Sequence, residues 1–327
     1  SRLNQMMNFE DLPNELFLEI FQYLNIDELL ESFWNLTQRI NQSIQSAQDL
    51  SYNFQKQNSL ICSRFSHQIT RLIINTNDEI DFQQFPFLIS LTLQQITFKH
   101  LQQIQSNILP NLVHLSIAFT KHSNLFMEFL IRIFSNSIPT LRYLELGYIH
   151  LSNNLNCLSS NSLTHISIHC NNLITIPCIL ILCSNLLNFQ VQFLSNTSPS
   201  FHSYPKIVHN RLKSFQLIDS YHQLIYNNIH TILTFMPNLR KLYLNILIRI
   251  PIIRLIRSLS SRLKYLKEFH CDIDDVSPEP LATIDDIRNI RSCFSNIICS
   301  IDESNFRTYT TSLNPVDFNR SFTHSKA

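Results

Sequence analysis

One short apolar pattern constrains this chain more than any other feature. It is L-x-x-L-x-L, with Ile, Phe, Val or Cys standing in for Leu, and it occurs nine times. The copies are Ile69-Leu72-Ile74, Leu88-Leu91-Leu93, Leu112-Leu115-Ile117, Leu141-Leu144-Leu146, Leu163-Ile166-Ile168, Leu186-Phe189-Val191, Leu212-Phe215-Leu217, Leu239-Leu242-Leu244 and Leu266-Phe269-Cys271. Their first residues are 19, 24, 29, 22, 23, 26, 27 and 27 positions apart. Such a period is the signature of a repeat architecture. The second and third apolar positions are two residues apart. In a strand both point to one side, and the residue between them points to the other.

The stretches between copies switch to helical spacing. Phe98, Leu101, Ile104 and Ile108 show it, as do Leu125, Phe126, Phe129, Leu130 and Ile133. So do Leu224, Ile225, Ile229, Ile232, Leu233 and Met236, and then Ile252, Ile253, Ile256 and Leu259. Pro251 suits the first turn of its helix, where a missing N–H costs nothing. Each unit is therefore strand, turn, helix. A lone unit exposes both flanks, whereas stacked units bury them and pass sheet hydrogen bonds along the array. The pattern resembles the leucine-rich-repeat family over about residues 49–301. The resemblance implies an α/β fold, an irregular leucine-rich-repeat solenoid with a curved parallel sheet inside and helices outside. The family places Asn or Cys three residues after the third apolar position. Here those sites are Asn77, Ile96, Thr120, Ile149, Asn171, Leu194, Ser220, Leu247 and Asp274, so uneven turns are expected. Leu194 to Asn210, with Pro199 and Pro205, reads as a loop-rich unit.

Composition removes several function classes. The 327 residues include one glycine, Gly147. Phosphate-binding loops need two or three glycines so that backbone can approach phosphate, and this chain cannot build one. Turns must run on Asn, Ser, Asp and Pro. Gly147 itself follows Leu146 on the fourth strand, at an outward-facing position between Glu145 and Ile149 where a partner has access to backbone. Net charge is +1, with 25 basic and 24 acidic side chains, which gives no electrostatic case for nucleic acid or an anionic membrane. The apolar run from Leu173 to Leu187 is too short and too interrupted to span a bilayer. Arg249, Arg254 and Arg257 break the apolar segment from Leu239 to Leu266. No membrane span and no signal peptide are expected, and the expected location is cytoplasmic and/or nuclear. The eight cysteines are scattered, without a CxxC pair, and read as free thiols.

Residues 8–44 carry no repeat. Leu12-Pro13 opens a helix whose first turn holds Glu15, and Leu16, Ile20 and Leu24 form a stripe beside Phe17 and Phe21. Asn25 ends that helix, and Asp27 caps a second bearing Leu29, Leu30 and Phe33. Leu36 and Ile40 lie on a third. The spacing Leu-Pro-x-Glu-Leu-x-x-x-Ile-Phe-x-x-Leu-x-x-x-Glu-Leu-Leu resembles the F-box. That resemblance implies docking on the Skp adaptor of a cullin–RING (SCF) ubiquitin ligase through Leu12, Pro13, Leu16, Ile20, Leu24, Leu29 and Leu30. The family's late tryptophan is not matched, since Trp34 falls earlier, and Ile40 is its nearest substitute. A plain three-helix cap for the first repeat is the bland alternative. DNA reading is disfavoured, because residues 8–40 hold seven acids against Arg39 alone.

Catalytic constellations are missing from the sequence. His165 and His169 share a strand face but lie about 13 Å apart at ~3.3 Å per residue, too far for one zinc. Asp272, Asp274 and Asp275 read as a solvated loop, because the calcium-loop glycine and distant glutamate are lacking. No enzyme activity, metal or cofactor is expected. The expected binding surface is the concave strand face, with His114, Tyr143, Glu145, His165, His169, Gln190, Gln216, Tyr243 and His270 as candidate contacts and the tyrosines as anchors. The organisation expected is an F-box-like helical module at 8–44, a linker and cap at 45–68, about nine repeats over 69–301, and a C-terminal cap and tail at 302–327. The functional expectation is substrate recognition for an SCF ubiquitin ligase, with an unknown protein substrate held on the repeats. The alternative is a leucine-rich-repeat scaffold that binds a partner without ubiquitin-ligase association.

Overall fold

The computed structural model describes residues 12–54, 59–118, 124–149, 159–195, 208–277, 283–301 and 307–311. Residues 8–11 of the helical module, Cys157, the Pro199–Pro205 segment and most of 302–327 lie outside the described residues. The fold is mixed α/β, with twelve strands and ten α-helices among the described residues. The chain divides into two compact units, residues 1–129 and 130–327.

The first unit opens with α1 (Asn14–Phe21), α2 (Ile26–Phe33) and α3 (Gln38–Ser46). The start of α2 differs from expectation. Asn25 accepts from the Glu28 N–H at 2.9 Å, and Glu28 accepts from the Asn25 N–H at 2.9 Å. This reciprocal capping box satisfies two helix-end donors, so Asn25 rather than Asp27 is the cap. Phe17, Phe21, Ile26, Leu29, Ile40 and Ile44 are fully buried. Trp34 meets Phe65 edge-on at 5.6 Å, which ties these helices to the chain that follows. Four parallel strands complete the sheet of this unit in chain order: β1 (Leu50–Phe54), β2 (Ile69–Ile74), β3 (Ser90–Leu93) and β4 (His114–Ile117). Short helices α4 (Ser59–Arg64) and α5 (Phe98–Gln103) lie between strands, and α6 (Asn124–Phe134) follows β4. Helix α5 stops before Ile108, and Phe98 is exposed rather than inward.

The second unit carries β5 (Tyr143–Ile149), β6 (His165–Cys170), β7 (Asn188–Phe193), β8 (Ser214–Asp219), β9 (Lys241–Ile248) and β10 (Glu268–Asp275), parallel and in chain order. Helices α7 (Thr175–Leu182), α8 (Tyr226–Thr234) and α9 (Ile252–Arg262) connect successive strands. After α10 (Ile284–Arg288) come β11 (Ile297–Ile301) and β12 (Arg307–Thr311); β12 lies antiparallel between β10 and β11, so it alone reverses direction and β11 runs the same way as β10. Neither set of strands closes into a barrel.

The repeat pattern sets the register. Leu144, Ile166, Phe189, Phe215, Leu242 and Phe269 pair in one row, and Leu146, Ile168, Val191, Leu217, Leu244 and Cys271 in the next. All are buried. Leu72, Leu91 and Leu115 form the matching row of the first unit. Side-chain period two makes any slip by one residue expose an entire row, so the sequence admits one register. The turns are uneven, and acidic or amide side chains hold them. Asp219 Oδ2 accepts from the Leu224 N–H at 2.7 Å, Asn172 from Ile174 at 3.0 Å, and Asp275 from Ile252 at 3.2 Å and Ser277 at 2.8 Å. Left-handed backbone falls on Asn35, Asp49, Asn136 and His222 among the described residues. Asn and Asp tolerate that region best after glycine.

Gly147 is not where the sequence places it. Leu146 pairs with Ile168 and Tyr148 with His169, so Gly147 is the unpaired residue of a β-bulge, and it is buried. The extra residue returns Tyr148 to the row that Gly147 was expected to occupy. Asp272, Asp274 and Asp275 also differ: they belong to β10 and not to a loop, and Asp275 is buried with its carboxylate accepting from the Ile252 and Ser277 N–H groups.

Candidate partner-binding surfaces

Two surfaces combine accessibility with side chains suited to a protein partner. The first is on α1. Its i, i+4 geometry separates two stripes. Phe17 and Phe21 turn inward with their rings 6.0 Å apart, while Leu16 is 42% exposed and Leu12, Ile20 and Leu24 are half-buried. Pro13 is exposed at the helix start. Arg39 of α3 fixes this end. It donates to the Leu12 carbonyl and to Asn14 Oδ1 at 2.9 Å, and its guanidinium lies over the Phe17 ring. Glu15, Glu19, Glu28 and Glu31 are exposed around the apolar stripe. Burial, then the charges of Glu31 and Glu28, push the Asp27 carboxyl above its ordinary value. Leu30 is half-buried, whereas Leu29 is fully buried. Leu29 is therefore core: α2 spends it on packing, and no surface partner reaches it.

The second surface is the sheet face that the buried rows leave. In the second unit it consists of three rows. Tyr143, His165, Asn188, Ser214, Lys241 and Glu268 form one, and Glu145, Ser167, Gln190, Gln216, Tyr243 and His270 the next. Tyr148, His169, Gln192, Ile218, Asn245 and Asp272 form the third. Neighbouring strands about 4.8 Å apart bring row members into contact. The Tyr143 and His165 rings stack at 4.3 Å. His165 also meets Thr164 Oγ1 at 2.9 Å and the Asn188 amide. Lys241 pairs with Glu268 at 2.7 Å, and Asn245 donates to Asp272 at 3.0 Å. Thr308 of β12 donates to Asp274 at 2.8 Å. These ladders pre-order the face and use up much of its hydrogen-bonding capacity.

The expected contacts separate accordingly. Glu145 is exposed, and Tyr143, His165, His169, Gln190 and His270 are half-buried. Gln216 and Tyr243 are only 2% and 3% exposed. Both are corrections to the reading of that row as solvent-facing: alternation puts them on the face opposite the core rows, yet both are buried, so Tyr243 is not an accessible anchor. Burial raises the Tyr243 hydroxyl above its ordinary range despite the Asn245 hydrogen bond. His114 lies in the first unit, where burial and then the Arg71 charge hold its imidazole low. Burial lowers His169 and His270 too, against the opposing charges of Glu145 and Glu268. At neutral pH these imidazoles are uncharged hydrogen-bonding groups. Tyr148 was missed in the sequence because Gly147 hid the bulge, although an isolated glycine within a strand pattern is a bulge signal.

Little on these faces is reactive. Seven cysteines among the described residues are free, and burial pushes the Cys170 thiol up to about 12. No group of three or more His, Cys, Asp or Glu side chains among the described residues is placed to hold a metal ion. No described helix is long and apolar enough to cross a membrane. No protein-family model matches this chain, and no curated protein matches it.

Proposed function

We propose that the chain is a substrate-receptor subunit of a cullin–RING ubiquitin ligase of the SCF type. In this reading α1–α3 form an F-box that docks on a Skp adaptor, and the strands and helices that follow form an irregular leucine-rich-repeat solenoid. Its concave sheet face holds a protein substrate for ubiquitin transfer by other subunits, in the cytoplasm or nucleus. The chain contributes proximity, not chemistry.

The observation that carries the reading is the division of labour on α1. Phe17 and Phe21 hold the helix down, while Pro13 and Leu16 are exposed and Leu12, Ile20 and Leu24 half-buried on α1 and at its two ends. A helix presents such apolar residues to water at a cost unless a partner covers them. The registered apolar rows support the repeat half of the proposal.

The test is capture of the purified chain by recombinant Skp adaptor. Wild type is expected to bind. Leu16→Glu, a change at an exposed position that leaves Phe17 and Phe21 in place, is expected to abolish capture, as is Leu12→Ala combined with Pro13→Ala. Absence of wild-type binding, or binding that survives these changes, replaces the receptor reading with that of a repeat scaffold outside the ubiquitin system.

A further inference from the structure

A cavity of about 260 Å³ opens in the second unit beyond the carboxyl ends of β8 and β9. The loop and first turn of α8 form one wall, from His222 to Asn227. Leu247, Arg249 and Ile250 form the other. Its floor is apolar, with Leu224, Leu247 and Ile250. Leu247 belongs to the same alternating set of β9 as Tyr243 and Asn245, so the cavity continues the polar sheet face.

Size and charge restrict the occupant. A cavity of about 150 Å³ accepts one benzene, and drug-sized ligands need about 300–1,000 Å³. This cavity therefore suits one apolar residue with its backbone. Arg249 is exposed. It is the arginine of this lining, and no salt bridge among the described residues engages it. A guanidinium beside an apolar floor fits a carboxylate attached to an apolar group.

We propose that this cavity receives the C-terminal residue of a partner polypeptide, its side chain against Leu224, Leu247 and Ile250 and its terminal carboxylate at Arg249. An internal Asp or Glu would satisfy the cation but leave the floor empty. An internal Leu or Phe would fill the floor but leave Arg249 unmatched. The proposal rests on the sheet face being the partner surface, as proposed above, and it names the partner's contacting chemistry.

The test uses the full chain, without adaptor, and fluorescence polarisation of labelled Gly-Ser hexapeptides whose last residue is Leu, Phe, Lys or Asp. Each is made with a free carboxylate and as the amide. Peptides ending in Leu or Phe with a free carboxylate are expected to bind about tenfold more tightly than their amides, the contribution of one charge-assisted contact. Arg249→Gln, at an exposed position, is expected to erase that preference. Leu247→Gln is expected to weaken binding of all Leu and Phe peptides. Equal binding of acid and amide, a preference that survives Arg249→Gln, or no saturable binding of any peptide overturns the proposal. Adaptor capture is scored separately, so failure of either idea is visible without the other.

Discussion

At the scale of single residues, Gly147 shows what one side chain can decide. Its backbone is not in the left-handed region, so the position does not need glycine for its dihedral angles. It needs glycine because the bulge puts an unpaired residue into a buried place on β5. A Cβ and two methyls there would overfill the site. Gly147→Val is expected to lower stability by about 1–3 kcal/mol, read as a lower urea midpoint with unchanged slope. A variant as stable as wild type would show that the bulge has room to spare. Arg39 acts at the same scale. Its contacts to Leu12, Asn14 and Phe17 hold the chain entering α1, so one side chain of α3 orders the end of the stripe on which the adaptor proposal depends.

At the scale of elements, short helices depend on their ends. Helix α2 has eight residues and is too short to stand by propensity. Its capping box and the buried Ile26 and Leu29 hold it in place. Asn25→Ala removes the acceptor for the Glu28 N–H and is expected to cost about 1 kcal/mol, again as a shift of the urea midpoint. No shift would mean that packing alone fixes α2. The strands behave differently. Their pairing is specified by whole rows, such as Phe189 beside Phe215 with rings 5.8 Å apart, and one residue carries little of that specification. Helix starts in the repeats are held from outside, as Asp275 of β10 does for Ile252 at the start of α9. The sequence offers no local signal for such a contact, because donor and acceptor are 23 residues apart.

At the scale of the whole molecule, the titratable groups share one bias. Burial is the largest cause lowering His100, His114, His169, His230 and His270. Each takes up a proton more readily when unfolded. Between the lowered native values and the ordinary 6.5, the unfolded chain therefore binds more protons, and stability rises with pH. Acidification from about pH 7.5 to about 5.5 is expected to lower the urea midpoint through these groups. Asp219 and Asp272 are raised, mainly by burial. They act with the opposite sign, regaining stability as pH falls from their raised values toward 3.8. A midpoint unchanged or higher at the lower pH would mean that the carboxylates outweigh the histidines.

The sequence by itself determined the strands of the nine copies, their core rows and their register. Each apolar triplet from β2 to β10 is buried as its spacing requires, because period-two alternation and burial of one face leave a strand a single choice. It also fixed the chemistry of the turns, since a chain with one glycine must place left-handed backbone mainly on Asn and Asp. Tertiary structure decided what depends on residues far apart in sequence. Alternation places Gln216 and Tyr243 on the face opposite the core rows, yet both are buried in the folded sheet. Leu29 has the spacing of a surface stripe but is packed into the core. The bulge at Gly147 moves Tyr148 into the open row, and the cavity at Arg249 exists only because the α8 loop and the end of β9 meet. Periodicity tells a residue which side of its own strand it occupies; what covers that side is set by the neighbouring strands and loops.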